Sequence, residues 1–331
     1  MQTLYITDNG LQLKKRSNRI AVKKNGKVTK EIPILDLKRV IIIGNSHLTA
    51  ELMRYLASKG IEVAFLSSHL RFKFRIVPQT SKNIFLRIAQ HERYRDDSFR
   101  LRISKIFVKT KLQNQKSFLV RYQRNQPDVN LGKYIKLLLN CASKVENKDS
   151  IEGLMGIEGA SAKGFFEAYG KLIKKEFEFK KRAYHPPPDP VNAMLSFGYM
   201  LLFNELSGLL EACGFDIYIG FLHSIVYGRA SLANDLMEEL RSPVIDRLVL
   251  YLINKGIIKK TSFKSGQKGV LMKDSARDSF LANYENFMTA SFLDIKTKKR
   301  TNYRKILQQR VYEIEKAVLN NYDYTPFVLY T

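Results

Sequence analysis

The sequence predicts an α+β protein, with a small N-terminal β-rich domain followed by a larger all-α domain. Three observations carry this. Short β-patterned runs bounded by turn residues fill about the first 80 positions, two Asn-Gly pairs punctuate them, and the hydrophobic period turns helical from Ser81 onward. The expected boundaries are 1–80 and 81–331. A chain of 331 residues accommodates two domains, and 45% hydrophobic residues can supply a sizeable core for each.

In the first domain, residues 3–6, 11–15, 19–24 and 27–34 are expected strands. Asn9-Gly10 and Asn25-Gly26 mark hairpins, because both central positions tolerate the positive φ of a primed turn. A β–α–β pattern follows: a buried strand at 40–43, a helix at 49–58 closed by Gly60, and a strand at 61–66. His47 is expected to cap that helix. Residues 71–77 alternate basic and apolar side chains as an exposed edge strand does. In the second domain, helical patterning covers 81–124, 131–145, 150–182, 191–212, 231–255 and 302–321. Asp149 or Ser150 is placed to cap one helix. Asp189, followed by Pro190, is placed to cap another after a proline-rich break that holds His185.

The charge balance points to a polyanionic partner. Lys and Arg number 56 against 31 Asp and Glu, a net charge of +25 with pI near 9.9. Residues 71–125 carry 15 basic and 3 acidic residues, and 251–310 carry 14 and 4. Phe72, Phe74, Phe85, Tyr94, Phe99, Phe107, Phe118 and Tyr122 interleave with the first basic stretch, as core aromatics or as base-stacking faces. A membrane partner is disfavoured. No leader pattern opens the chain, and the apolar stretch 194–210 holds Ser196, Asn204 and Glu205 and falls short of the roughly 20 residues that span a bilayer. Two cysteines without paired spacing indicate neither disulfides nor a zinc knuckle, and a cytoplasmic setting is expected.

Phosphate-binding loops, serine elbows and zinc-protease helices are absent, so the chemistry falls to histidine and carboxylates. Of five histidines, His223 stands apart: it ends the apolar run 217–222 and precedes the acidic helix that begins at Ser231. There, Asp235 and Glu238 share a stripe continued by Arg241, while Leu232, Leu236 and Leu240 form a core face. A carboxylate pair beside an imidazole suits Mg²⁺ or Mn²⁺, although a solvated acidic face has the same periodicity. Glu158 lies in a mostly apolar segment close to Gly156 and Gly159. That pattern fits close approach, either by a packed helix or around a carboxylate directed at a metal.

Four segments in order resemble the CRISPR-associated integrase of the spacer-acquisition module, a metal-dependent DNA endonuclease. They are Leu154-Met-Gly-Ile-Glu-Gly159, the stretch from Pro187 to Tyr199, Gly220-Phe-Leu-His223, and the stretch from Ser231 to Arg241. The resemblance covers essentially the whole chain. It implies Glu158, His223 and Glu238 as metal ligands, a position where the family accepts Asp or Glu for the third, with Asp235 as a supporting carboxylate. Arg241 is implied as a phosphate contact, and Asn192, Lys163 and Arg229 join it as candidate DNA contacts. Two departures are Phe165, where many members carry tyrosine, and the apolar loop that follows His223.

The implied activity is phosphoryl transfer with Mg²⁺ or Mn²⁺, joining the 3′-OH ends of short captured duplex DNA to a CRISPR repeat; His223 as general base is the lesser role. The implied partners are double-stranded DNA, a second copy through the β domain, and a small ferredoxin-like CRISPR-associated dimer bridging two homodimers. The competing readings are a general or branched-DNA metal-dependent nuclease and a non-catalytic DNA-packaging protein.

Overall fold

A computed structural model describes residues 2–67, 72–76, 83–183, 186–266 and 269–330, grouped into two compact units, Met1–Thr80 and Ser81–Thr331. The first unit is two four-stranded sheets and one helix. Its elements are β1 (Gln2–Ile6), β2 (Gln12–Arg16), β3 (Arg19–Lys24), β4 (Lys27–Pro33), β5 (Leu37–Ile43), β6 (His47–Leu48), α1 (Ala50–Ser58), β7 (Glu62–Leu66) and β8 (Phe72–Ile76). One sheet runs β1-β5-β7-β8, with β1, β5 and β7 parallel and β8 antiparallel at its edge. The other runs β4-β3-β2-β6. Leu13, Ile20, Val40, Ile42, Leu52, Leu56 and Val63 are fully buried in a shared core.

Asn25 and Gly26 adopt φ of 49° and 77° and join β3 to antiparallel β4, as a primed turn requires. Asn9-Gly10 does not form the expected hairpin, because β1 pairs with β5 while β2 belongs to the other sheet. The turn carries the chain between sheets. It is fixed across the fold by Asn45, whose N–H donates to Asn9 Oδ1 at 2.8 Å and whose carbonyl accepts from the Gly10 N–H at 2.7 Å. The α1 cap is Thr49, not His47, which pairs with Gln12 in β6.

The second unit is helical, with two short antiparallel strand pairs among the described residues. Its elements are α2 (Ile84–Arg95), α3 (Asp97–Asn125), α4 (Gly132–Ser143), α5 (Ile151–Leu172), α6 (Pro190–Cys213), α7 (Ser231–Glu238), α8 (Arg247–Asn254), β9 (Phe263–Gly266), β10 (Gly269–Met272), α9 (Asp274–Thr289), β11 (Phe292–Leu293), β12 (Arg300–Thr301) and α10 (Tyr303–Asn320). Helix α3 packs against α4, α5 and α7, and α6 packs against α7 and α10.

Several expected boundaries move for local reasons. The run 81–124 is two helices, since Asp96 is extended (φ −84°, ψ 98°) and its carboxylate caps α3 by accepting from the Phe99 N–H at 3.0 Å. Ser150 caps α5, which ends at Leu172 and not near 182. Asp189 caps α6 with Pro190 in its first turn, while His185 and His69 lie outside the described residues. Helix α6 has 24 residues, long and apolar enough by length and composition to cross a membrane. Even so, 78% of its most apolar window is buried in the unit.

The run 231–255 is interrupted by a π-helical turn over Arg241–Asp246, which contains Pro243. An α-helix would set residues 241 and 246 about 140° apart around its axis. The wider π turn aligns residues five apart, so both reach one cavity. Helix α9 was hidden in the basic stretch 251–310, whose charges mask its apolar stripe of Ala276, Phe280, Tyr284 and Met288.

Candidate active site

Five segments converge on a cavity of about 300 Å³ within the helical unit, α6 among them through Tyr199. Helix α3 contributes Lys111 and Gln115, α5 contributes Glu158, the loop before α7 contributes His223 and Arg229, and α7 with its π turn contributes Glu238, Arg241 and Asp246. The acidic stripe expected on one helix therefore divides. Glu238 faces the cavity, whereas Asp235 is fully buried and turned towards the His223 loop.

That loop is irregular backbone held by side chains from three elements. Gln90, itself fully buried, donates to the carbonyls of Asp216 (2.8 Å) and Ile219 (2.9 Å) and accepts from the Asp216 N–H (3.0 Å). Arg100 donates to the Phe221 carbonyl at 2.9 Å. Asp235 accepts the N–H groups of Phe221 (2.6 Å), Leu222 (3.0 Å) and His223 (3.0 Å), satisfying three buried donors that no strand or helix serves. Gly220 permits this grip, since a Cβ there would lie 2.7 Å from Asp235 Oδ2 and from Ser231 Cβ. The same carboxylate sits 2.6 Å from His223 Nδ1. A carboxylate can only accept, so Nδ1 carries the proton and Nε2 is left with its lone pair free. Asp235 is thus a positioning residue that fixes the tautomer and ring of His223.

Lys111 occupies the centre of the site. Its ammonium pairs with Glu158 Oε1 and lies 2.5 Å from Glu238 Oε2, with its side chain 8% exposed. Arg241 pairs with Glu238 Oε1 at 3.1 Å. Burial pushes the Glu238 carboxyl up, but Arg241 and Lys111 outweigh it and hold it at about 2. Burial likewise disfavours the Lys111 ammonium, and Glu238 and Glu158 overcome that, raising its pKa. Both groups are charged at neutral pH. Behind them, Tyr199 donates to Asp246 Oδ1, and Ser242 donates to Asp246 Oδ2 at 2.9 Å. The guanidinium groups of Arg241 and Arg182 lie over the Tyr199 ring at 4.7 and 5.4 Å.

Glu158, His223 and Glu238 therefore line one cavity. Among the described residues, however, no three His, Cys, Asp or Glu side chains form a closed ligand cluster, because Lys111 stands between the two glutamates. The donor set fits Mg²⁺ or Mn²⁺ in kind, with carboxylate oxygens for either and one imidazole that Mn²⁺ accepts. Glu238 Oε2 adds to the fit as a buried carboxylate oxygen that already holds a cation, the Lys111 ammonium, at 2.5 Å.

The candidate DNA contacts fare differently. Arg229 and Arg241 line the cavity, and Lys163 is exposed on α5. Asn192 is not a surface contact. It is fully buried, with its amide donating to the Lys181 carbonyl (2.9 Å) and to Asp189 (2.6 Å), and its oxygen accepting from Arg182 (2.9 Å) and from the Ala183 N–H (2.9 Å). It ties the 181–189 segment to the start of α6. Gly156 and Gly159 do not mark close approach, since a Cβ at either would meet open space. The most crowded glycine of α5 is Gly164, against Leu137. Phe165 is buried among Phe118, Phe166 and Tyr169, where a hydroxyl would need a partner. The basic-stretch aromatics split: Phe99, Phe107 and Phe118 are core, while Phe72, Phe74 and Phe85 are exposed. The loop after His223 turns Ile225, Val226 and Tyr227 to solvent, its base closed by Ser231 Oγ donating to the Ser224 carbonyl at 2.9 Å.

Lys111, Gln115 and Asp246 had no sequence signal of their own. Lys111 is one of many lysines on a basic helix, and Tyr199 was visible only as the end of a motif.

The chain matches the family model described as CRISPR associated protein Cas1 over residues 4–286. It is 33% identical over 293 residues to CRISPR-associated endonuclease Cas1 1 of Chlorobaculum tepidum, covering 86% of this chain and 85% of that protein. It is 30% identical over 329 residues to CRISPR-associated endonuclease Cas1 3 of Thermus thermophilus, covering 98% and 97%. Its fold resembles that of a casposase bound to integration product, with a TM-score of 0.85 at 23% identity over 98% of this chain and 93% of the casposase chain. The extent of these matches assigns the chain to the Cas1 family of CRISPR-associated endonucleases.

Proposed function

We propose that this chain is a metal-dependent DNA endonuclease and integrase that joins captured duplex ends to a CRISPR repeat. The observation that carries the reading is the convergence of Glu158, His223 and Glu238 on one cavity that Lys111, Arg229 and Arg241 also line, in a chain with a net charge of +25. The Cas1 endonuclease relatives support it, and so does the fold shared with a casposase captured on an integration product.

Glu158, Glu238 and His223 Nε2 would hold Mg²⁺ or Mn²⁺. Such an ion, when bound, neutralises charge on the reacting phosphate and lowers the barrier to displacement. The protein's own residues do the rest. Asp235 keeps Nε2 directed at the cavity, and Arg229 and Arg241 neutralise flanking phosphates. In strand joining, the 3′-oxygen of the incoming end forms a bond to phosphorus as the bond to the leaving 3′-oxygen of the repeat strand breaks. The nucleophile's proton ends on the leaving oxygen by way of solvent. With water as nucleophile the same displacement is hydrolysis. Lys163 on the exposed face of α5 extends the phosphate contacts.

In this reading the β unit pairs two copies, a small ferredoxin-like dimer bridges two such pairs, and the reaction takes place in the cytoplasm. A half-site integration assay on a supercoiled repeat-containing plasmid tests the proposal, with and without Mn²⁺ and the small partner. Joining that requires both and is lost in Glu158→Ala is the expected result. Joining by Glu158→Ala would overturn the site, and metal-dependent cleavage without the partner or any repeat preference would indicate a general nuclease.

A further inference from the structure

We infer that Lys111 is a tethered stand-in for the metal: its ammonium holds Glu158 and Glu238 together in the metal-free protein and must swing aside for a divalent cation to bind. This rests on the reading of those glutamates as ligands, and it assigns a role to a residue on a third helix.

The geometry carries the argument. One ammonium contacts one oxygen of each carboxylate, Glu158 Oε1 and Glu238 Oε2. A cation about 2.1 Å from those same oxygens would overlap the ammonium, so the two occupants exclude each other. Glu238 Oε2 is buried and the ammonium meets it at 2.5 Å, so the oxygen is already turned to the point where a metal would meet it. Lysine suits the task because its charge is a point at the end of a flexible four-carbon stem, whereas the fork of an arginine is planar and fixed.

A second acceptor for the displaced ammonium lies one helical turn away. Gln115 lies four residues along α3 on the same face and lines the same cavity, and its Oε1 is buried with no hydrogen-bond partner. A buried acceptor left open is costly unless some state of the protein uses it. Lys111 on Gln115 would supply that state while keeping its charge inside the cavity, near an incoming phosphate. The arrangement keeps two buried carboxylates from facing each other uncompensated before metal arrives, and it makes metal affinity weaker than the bare ligand set would allow.

The test is Mn²⁺ binding to the full-length, DNA-free protein, measured by titration calorimetry and by loss of the free Mn²⁺ paramagnetic signal. Lys111→Met is expected to bind Mn²⁺ at least about tenfold more tightly than the wild type. It should also melt at a lower temperature without metal and gain more on metal addition. Gln115→Leu, which removes the alternative acceptor, is expected to weaken Mn²⁺ binding several-fold. Unchanged or weaker Mn²⁺ binding by Lys111→Met overturns the inference; if that variant fails to fold, unchanged binding by Gln115→Leu overturns it instead. Glu158→Gln separates the two levels. If wild type and Glu158→Gln bind Mn²⁺ equally, the ligand assignment itself fails and this inference fails with it.

Discussion

Glu238 and Glu239 are consecutive, both buried and both acidic, yet they serve opposite sides of α7. Glu238 faces a cavity where Arg241 and Lys111 pair with it, and is held at about 2. Glu239 faces the C-terminal segment, where it accepts from Tyr324 at 2.5 Å and from the Phe327 N–H at 2.9 Å. Burial dominates there and lifts it to about 7, against the pull of Arg310. Asn114 on α3 completes that side. It donates to the carbonyls of Glu239 (2.7 Å) and Phe327 (2.9 Å) and accepts from the Leu329 N–H (2.7 Å). The contrast separates chemistry from architecture: neighbouring carboxylates diverge because one gains two positive partners and the other gains mainly neutral donors.

The largest expected effect breaks the comparison most directly. Glu238→Ala should lower strand joining by on the order of 10³-fold or more, whereas Glu239→Gln should leave it within a few-fold, both read in the plasmid assay. Equal losses would show that the two sides are not separable. Next, Asp235→Asn keeps the volume but can no longer be acceptor only, so Mn²⁺ affinity should fall by roughly 10–100-fold in calorimetry with the fold retained.

Glu239→Ala removes the acceptor for a buried hydroxyl and a buried N–H, and should cost about 3 kcal/mol in urea unfolding. The two glutamates also give opposite pH dependence. Glu239 has a raised folded pKa, so its contribution is fully present below about 4.5 and is lost as pH rises through 7. Glu238 has a depressed one, so its contribution is present above about 4.5 and is lost as pH falls towards 2. Each spans up to about 3 kcal/mol. Melting across pH 4.5 to 7.5 should therefore flatten in Glu239→Gln. The smallest effect is that of Arg229→Ala, which should reduce the slope of log affinity for duplex DNA against log salt by about one unit, measured by fluorescence anisotropy.

Much of the architecture was legible because its determinants are local. The period change near residue 80, the Asn25-Gly26 turn, the Ser150 and Asp189 caps and the core face of Leu232, Leu236 and Leu240 all follow from neighbouring residues. Asn9-Gly10 misled because turn chemistry specifies a reversal and not the partner of the strand that follows. The single-residue break at Asp96 and the early end of α5 are too fine for periodicity. Asn192 misled because a short polar side chain beside a cap reads alike whether it meets solvent or, as here, four protein partners.

By itself the sequence determined the two-part organisation, the cationic character and the identity of the carboxylates and histidine that share the site. Only the tertiary structure decided what each of them touches. Glu158 and Glu238 are brought together by the packing of α5 and α7 on α3, and Lys111 arrives between them from 47 residues before Glu158. Asp235 and Glu238 occupy one helical stripe, yet burial sends the first to a backbone clamp and the second to the cavity. Residue type fixes which charges exist, but desolvation and opposite-charge partners, which are properties of packing, decide which face the cavity and which clamp the backbone.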